Sequence, residues 1–320
     1  MKRHQFTILL MTVLFHFSIL SSCKNANEKK NANINNANNL KPNKNIEVIS
    51  TGMNFEMTNK IKSGWTTFEY INKSNETHFF ILEKLPVGIG IEKYQKEFLS
   101  PFKKAYNYFI AGDIETGNKQ FEDLPAWSSK MEICGGVALT SPKKTSKTTL
   151  FLEPGTYIME CYVRMPNGMP HIFYGMIKEF TVSNLNNGNK EPFADEEISI
   201  SSQSGITFKD SLTEGNYTFS VDFKDQKIYE HMLGHDINLV KIENEKQLDL
   251  LNNWVNLSDY TAFKTPAPEG LTFLGGVEDI FGDKKGYFNV TLKKGRYVLI
   301  SEIPNAVERK MFKRFKVTSN

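Results

Sequence analysis

The chain has 320 residues, 40% of them hydrophobic and 12% aromatic, with 39 Lys and Arg against 36 Asp and Glu for a formal charge of +3. That length and apolar content are enough for two domains of ordinary size and exclude a wholly disordered chain. The near balance of charge, with no basic stretch interleaved with aromatics, speaks against a nucleic-acid partner.

Lys2 and Arg3 precede the apolar run "FTILLMTVLFHFSIL", which small residues and a Cys follow. This is the order of a secretory signal, and the run is too short to cross a bilayer comfortably. Leu20-Ser21-Ser22-Cys23 resembles a bacterial lipoprotein signal. The resemblance implies a signal peptide over 1–22 and a lipid on Cys23. The mature chain would then lie in the cell envelope, anchored by lipid on the periplasmic face of the inner or outer membrane or at the cell surface. Residues 23–45 are mostly Asn, Lys and Ala, cannot build a core, and are expected to form a flexible tether.

Beyond the tether, "GWTTFEYIN" (64–72), "HFFILEKL" (78–85), "KTTLFLEPGTYIMECYV" (147–163) and "IKEFTV" (177–182) are rich in β-branched and aromatic residues and cut by Gly and Pro, as strands are. Between them, Ser100-Pro101 predicts a helix start and Ala111-Gly112 a stop, with Phe102, Tyr106 and Phe109 at helical spacing. A polar stretch, "SNLNNGNKEPFADEE" (183–197), divides two similar halves. "HFFILEKL" matches "HDINLVKI", Gly135-Gly136 matches Gly275-Gly276, "LEPGTYIMEC" matches "LKKGRYVLIS", "MIKEFTV" matches "MFKRFKV", and "GWTTF" matches "GNYTF". Five matches in one order predict a duplicated β-domain, 46–185 and 196–320, each with a helical insert. The insert of the second half is the shorter "EKQLDLLNNWVN" (245–256).

The comparison separates framework from chemistry. Cys161 aligns with Ser301, His171 falls opposite a loop with no His, Met176 aligns with Met311, and His78 aligns with His235. Only the first half therefore carries a Cys, two His and a Met in this arrangement. Met311 persists without those partners, so Met at that position also serves packing. His231 and His235 lack a Cys and are not expected to hold a metal. Cys161 could instead pair with Cys134 as a disulfide in an oxidising compartment.

The first half, with "NETHFFILEKL", Gly135-Gly136, "LEPGTYIMECYV" and "PNGMPHIFYGMIKEFTV", resembles the cupredoxin, or blue copper, family. The resemblance covers 46–182 and, more weakly, 196–318. It implies an all-β fold of two tandem Greek-key sandwiches. It also implies one copper ion in the first domain, held by His78, Cys161, His171 and Met176. Two imidazoles, a thiolate and a weak axial thioether suit copper in both oxidation states. One departure stands out: nine residues separate Cys161 from His171 and four separate His171 from Met176, a longer loop than in compact blue copper proteins. Met165 and Met169 within it leave copper carriage open beside electron transfer. The second domain would be a metal-free scaffold.

The reading is thus a membrane-anchored protein that transfers electrons or handles copper with a redox or copper-exchange protein partner. Its rival is a copper-free β-sandwich binding or assembly module. No phosphate loop, nucleophile elbow or metalloprotease helix is present, so the chain is not expected to be an enzyme.

Overall fold

The structure is a computed structural model, and it describes residues 45–281 and 283–319. The signal, Cys23 and all of the tether but Asn45 lie outside the described residues. In the first half, β1 (Ile46–Ser50) runs parallel to β2 (Lys60–Asn72), and β2 pairs antiparallel with β5 (Thr145–Leu152). The facing sheet has the order β4 (Glu132–Thr140), β3 (His78–Lys84), β6 (Gly155–Glu160), β7 (Ile177–Asn186), all antiparallel. Strand β7 then returns parallel to the first residues of β2, which closes the sandwich. Along β2 from Gly64 to Asn72 burial alternates residue by residue, as expected of a strand with one face in the core. Strand β3 is central and buried on both faces, so its middle, "FFIL", reads as a continuous apolar run.

The same pairing occurs again in the second half. Strand β8 (Glu196–Ser201) is parallel to β11 (Gly215–Phe223), and β11 is antiparallel to β14 (Lys284–Leu292). Strands β13 (Leu271–Val277), β12 (Ile237–Ile242), β15 (Gly295–Ile300) and β16 (Phe312–Thr318) form the facing sheet in that order. Short β9 (Gly205–Thr207) and β10 (Ser211–Thr213) join β8 and β16. The fold is all-β, two tandem Greek-key sandwiches. They are fused through both sheets: β5 pairs with β14 at Thr149–Tyr287, and β4 touches β13 at Thr140–Leu274. The Thr148 hydroxyl donates to the Gly276 carbonyl at 2.7 Å across this seam.

The matching Gly pairs have a steric cause. A Cβ on Gly136 would sit 1.9 Å from the Phe80 carbonyl oxygen, and one on Gly276 would sit 1.9 Å from that of Ile237. Only glycine lets these strands approach so closely. Beside Gly136, Phe80 is fully buried and meets Phe55, Phe68 and Tyr70 edge-on at 5.6–6.0 Å between ring centroids.

The first insert begins earlier than Ser100. A short α1 (Ile91–Lys93) leads through a π-turn (Tyr94–Leu99) into α2 (Ser100–Ile110), and Ser100 makes no capping bond. Tyr94, Phe98 and Leu99 are buried against the sheet, and that burial extends the helix past the local start signal. A further turn, α3 (Ile114–Lys119), is capped by Asp113, which accepts from the Thr116 N–H. In the second half α4 (Gln247–Val255) occupies the predicted place.

Candidate metal centre

His78, Cys161, His171 and Met176 all lie at one end of the first sandwich. His78 opens β3. Cys161 follows the last residue of β6, His171 starts a single helical turn (His171–Tyr174), and Met176 precedes β7. Within the long loop the Met165 N–H donates to the Met169 carbonyl at 2.9 Å, and that of Gly168 to the Met165 carbonyl at 2.8 Å. This turn around Asn167-Gly168 brings the chain back, and the His171 N–H then bonds to the Val163 carbonyl at 2.7 Å. Nine intervening residues therefore do not carry His171 away from Cys161. The Met176 main chain completes the closure: its carbonyl accepts from the Cys161 N–H at 3.2 Å, and its N–H donates to the His171 carbonyl at 3.3 Å.

All four side chains are fully buried. The two imidazole Nδ1 atoms approach to 3.0 Å, and the Cys161 Sγ lies 3.8 Å from the His171 Nδ1. One ligand atom from each of His78, Cys161 and His171 falls within 4.8 Å of the others. Metal–nitrogen bonds of about 2.0–2.1 Å and a metal–sulfur bond of about 2.3 Å at trigonal angles set about 3.8 Å between nitrogen and sulfur, as found, and about 3.6 Å between the nitrogens, so the two imidazoles would part by about half an ångström around an ion. Burial pushes His78 down to about 4 and His171 to about 3, so both rings are neutral at pH 7 and have a lone pair to give. Burial also pushes the Cys161 thiol up to about 12, so only a bound cation would make it a thiolate. The donor set fits a copper ion.

Cys134 and Cys161 are both free thiols, so they do not form the disulfide considered above. Cys134 lies on β4, where its thiol donates to the Glu132 carbonyl. In the second half His235 is also buried, but its Nε2 is engaged by the Asp225 carbonyl at 2.8 Å, and Ser301 donates to Asp236 at 2.6 Å. The side chain of His231 lies outside the described part.

Two features of the centre escaped the sequence reading. Glu76, in the β2–β3 loop, places its Oε2 3.4 Å from the His171 Nε2, and neither atom has an aligned hydrogen-bond partner. Its place two residues before His78 was the only signal. Glu160, immediately before Cys161, shares the Tyr94 hydroxyl with Glu83, at 2.7 and 2.6 Å. One phenol proton cannot serve two carboxylates, and burial pushes Glu83 up to about 7 and Glu160 well above the usual range. A Glu in the apolar run "YIMEC" was the available signal. Glu83, Glu160, Tyr162 and Arg164 line a cavity of about 510 Å³ whose other wall is largely aromatic, with Phe98, Phe102 and Phe173 among its residues.

No protein-family profile matches the chain, and no curated protein matches it. Solved structures do. Auracyanin A, a "blue" copper protein from Chloroflexus aurantiacus, is 21% identical over 43% of this chain and 98% of its own, with a TM-score of 0.26. A multicopper oxidase is 10% identical over 86% of this chain and 88% of its own, with a TM-score of 0.22. A copper-containing nitrite reductase from Thermus scotoductus is 9% identical over 86% of this chain and 61% of its own, with a TM-score of 0.20. The similar structures thus include an oxidase and a reductase, which are enzymes, and the expectation that this chain is not an enzyme is withdrawn. At these scores the likeness assigns no activity to the chain, and the copper assignment rests on the His78–Cys161–His171 geometry.

Proposed function

We propose that the chain is an exported lipoprotein, anchored to a membrane of the cell envelope through Cys23, that binds one copper ion in its first sandwich and exchanges electrons or copper with a protein partner. We place the two domains at 46–185 and 196–320. The observation that carries this reading is the convergence of two neutral imidazole nitrogens and one thiol, all buried, at one end of a rigid sandwich. His78 and His171 would hold the ion through Nδ1 and Cys161 through Sγ, with Met176 as a weak fourth ligand. A copper ion so held cycles between two oxidation states and accepts a wide range of geometries only at a cost in rate, so fixed ligands favour fast one-electron exchange. The chain supplies that fixity: His78 opens β3, Cys161 directly follows β6, Met176 directly precedes β7, and the loop is bonded to its own main chain. Glu76 would orient His171 from behind, as carboxylates commonly do for metal-bound imidazoles.

The test is optical. Reduced, metal-free protein given Cu(II) should develop the intense visible band of thiolate-to-copper charge transfer. Cys161→Ser should abolish it. His171→Ala should weaken copper binding, and Met176→Leu should keep the colour and shift the reduction potential. A wild-type protein that stays colourless would leave a copper-free binding module as the better account.

A further inference from the structure

Among the described residues the second sandwich shows no His–Cys–His cluster, yet the same end of it holds a different concentration of ligand atoms. Asp236 stands just before β12, Glu278 just after β13 and Glu302 just after β15. In the repeat these are neighbours of the positions that carry His78 and Cys161 in the first half: Asp236 follows His235, and Glu302 follows Ser301. The three carboxylates are 0–1% exposed, and one oxygen from each lies within 4.8 Å of the others.

Their partners divide sharply. Asp236 is saturated with donors: its Oδ1 accepts from the Ser301 hydroxyl at 2.6 Å and the Glu302 N–H at 2.9 Å, and its Oδ2 accepts from the Asn238 amide. Glu302 Oε1 accepts only from the Tyr162 hydroxyl at 3.1 Å. Both oxygens of Glu278 and the second oxygen of Glu302 are buried with no donor from any other residue, the two glutamate side chains reaching only each other, and among the described residues no Lys, Arg or His forms an ion pair with any of the three. Carboxylate oxygens buried with only one another for company are costly unless a cation or protons lie between them.

We propose that Asp236, Glu278 and Glu302 form a binding site for a hard divalent cation such as Ca²⁺ or Mn²⁺. The donors are all oxygen, which suits hard cations and not copper. The Asp236 carboxylate is held in place by three donors, and the two glutamates bring oxygens that no donor from another residue occupies to within 4.8 Å of it. Tyr162, whose hydroxyl reaches Glu302, and Asp279, next to Glu278, both line the 510 Å³ cavity, so its wall is one residue away from the cluster. Without a cation the cluster must hold protons: burial pushes Asp236 up to about 7 and holds Glu278 and Glu302 well above the usual carboxylate range. The site does not depend on copper. It would, however, sit one hydrogen bond from Tyr162, the residue after Cys161, on the seam between the two sandwiches.

The experiment uses the full mature chain with Cys161→Ser, which removes the copper thiolate, after treatment with a chelator. Ca²⁺ and Mn²⁺ are each titrated by calorimetry at pH 8, and thermal unfolding is followed with and without the metal. Tb³⁺ serves as a third probe, since excitation of Tyr162 should sensitise its luminescence. One cation should bind per chain and raise the unfolding temperature. Glu278→Gln and Glu302→Gln should each weaken binding at least about ten-fold, because one anionic ligand is lost without a change of shape. Both variants should fold, since an amide relieves the repulsion, and with Cys161 restored both should still turn blue with Cu(II). No binding of any of the three ions would mean that the cluster holds protons only and would overturn the proposal. Binding that survives both Gln variants would place the cation elsewhere and overturn it equally. Neither result touches the copper reading, which the colour of the Cys161-containing protein reports separately.

Discussion

Acidification of the copper-free protein should expose the two buried imidazoles. In the unfolded chain His78 and His171 titrate near 6.5, whereas burial holds them at about 4 and about 3 in the fold. Above about pH 6.5 both states carry neutral rings and the difference is silent. As pH falls below that value the unfolded chain takes up protons that the folded chain refuses, so stability is lost, and the loss continues until each folded value is reached. At about pH 5 each ring costs roughly 2 kcal/mol and the pair about 4 kcal/mol, from about 1.36 kcal/mol for each pH unit below 6.5. Buried carboxyls work in the opposite sense. Burial raises Glu83, Asp236 and Asp279 to about 7, so their contribution is fully present below about pH 4 and is lost as pH rises through about 7. The His contribution is therefore read as a difference. Urea unfolding of wild type and of a His78→Gln/His171→Gln variant, from pH 8 to pH 5 with a chelator present, cancels the acids common to both. The wild type should lose about 4 kcal/mol relative to the variant, with a slope approaching about 2.7 kcal/mol per pH unit below pH 6. A difference that stays constant within about 1 kcal/mol would show that the rings are not held neutral in a closed site, and the idea of a preformed centre would fail.

Two further outcomes are expected. Glu76→Gln should leave the copper colour intact and lower copper affinity by about 10- to 100-fold in competition with a chelator, as loss of an orienting carboxylate does elsewhere; unchanged affinity would remove Glu76 from the centre. Cys23→Ala should release the protein from the membrane fraction or block its maturation, and a substituted protein that still carries a lipid label would show that the anchor lies elsewhere.

Much of the fold was legible because β-structure writes itself locally. Alternating burial along β2, the apolar run of β3 and the paired Gly at 135–136 and 275–276 are each properties of a strand and its immediate neighbour. The duplication was legible for the same reason, since two chains of similar strands need similar residues at similar intervals. The resemblance that implies His78, Cys161, His171 and Met176 as a ligand set could be drawn along the chain as well, and the fold brings ligand atoms of the first three within 4.8 Å of one another. What the sequence could not reach was distance across the fold. The loop from Cys161 to His171 is longer than in compact blue copper proteins, and only its main-chain bonds show how close it returns His171 to Cys161. The true start of the first helical insert at Ile91 depends on Tyr94 and Phe98 finding the sheet, which no capping residue reports. The acids are the clearest case. Asp236, Glu278 and Glu302 are spread over 67 positions and resemble any surface carboxylates in a chain with 36 of them. Only the closing of β12, β13 and β15 onto one end of the second sandwich buries them together, and that shared burial, a matter of distance across the fold, is what sets these three apart from scattered surface charge.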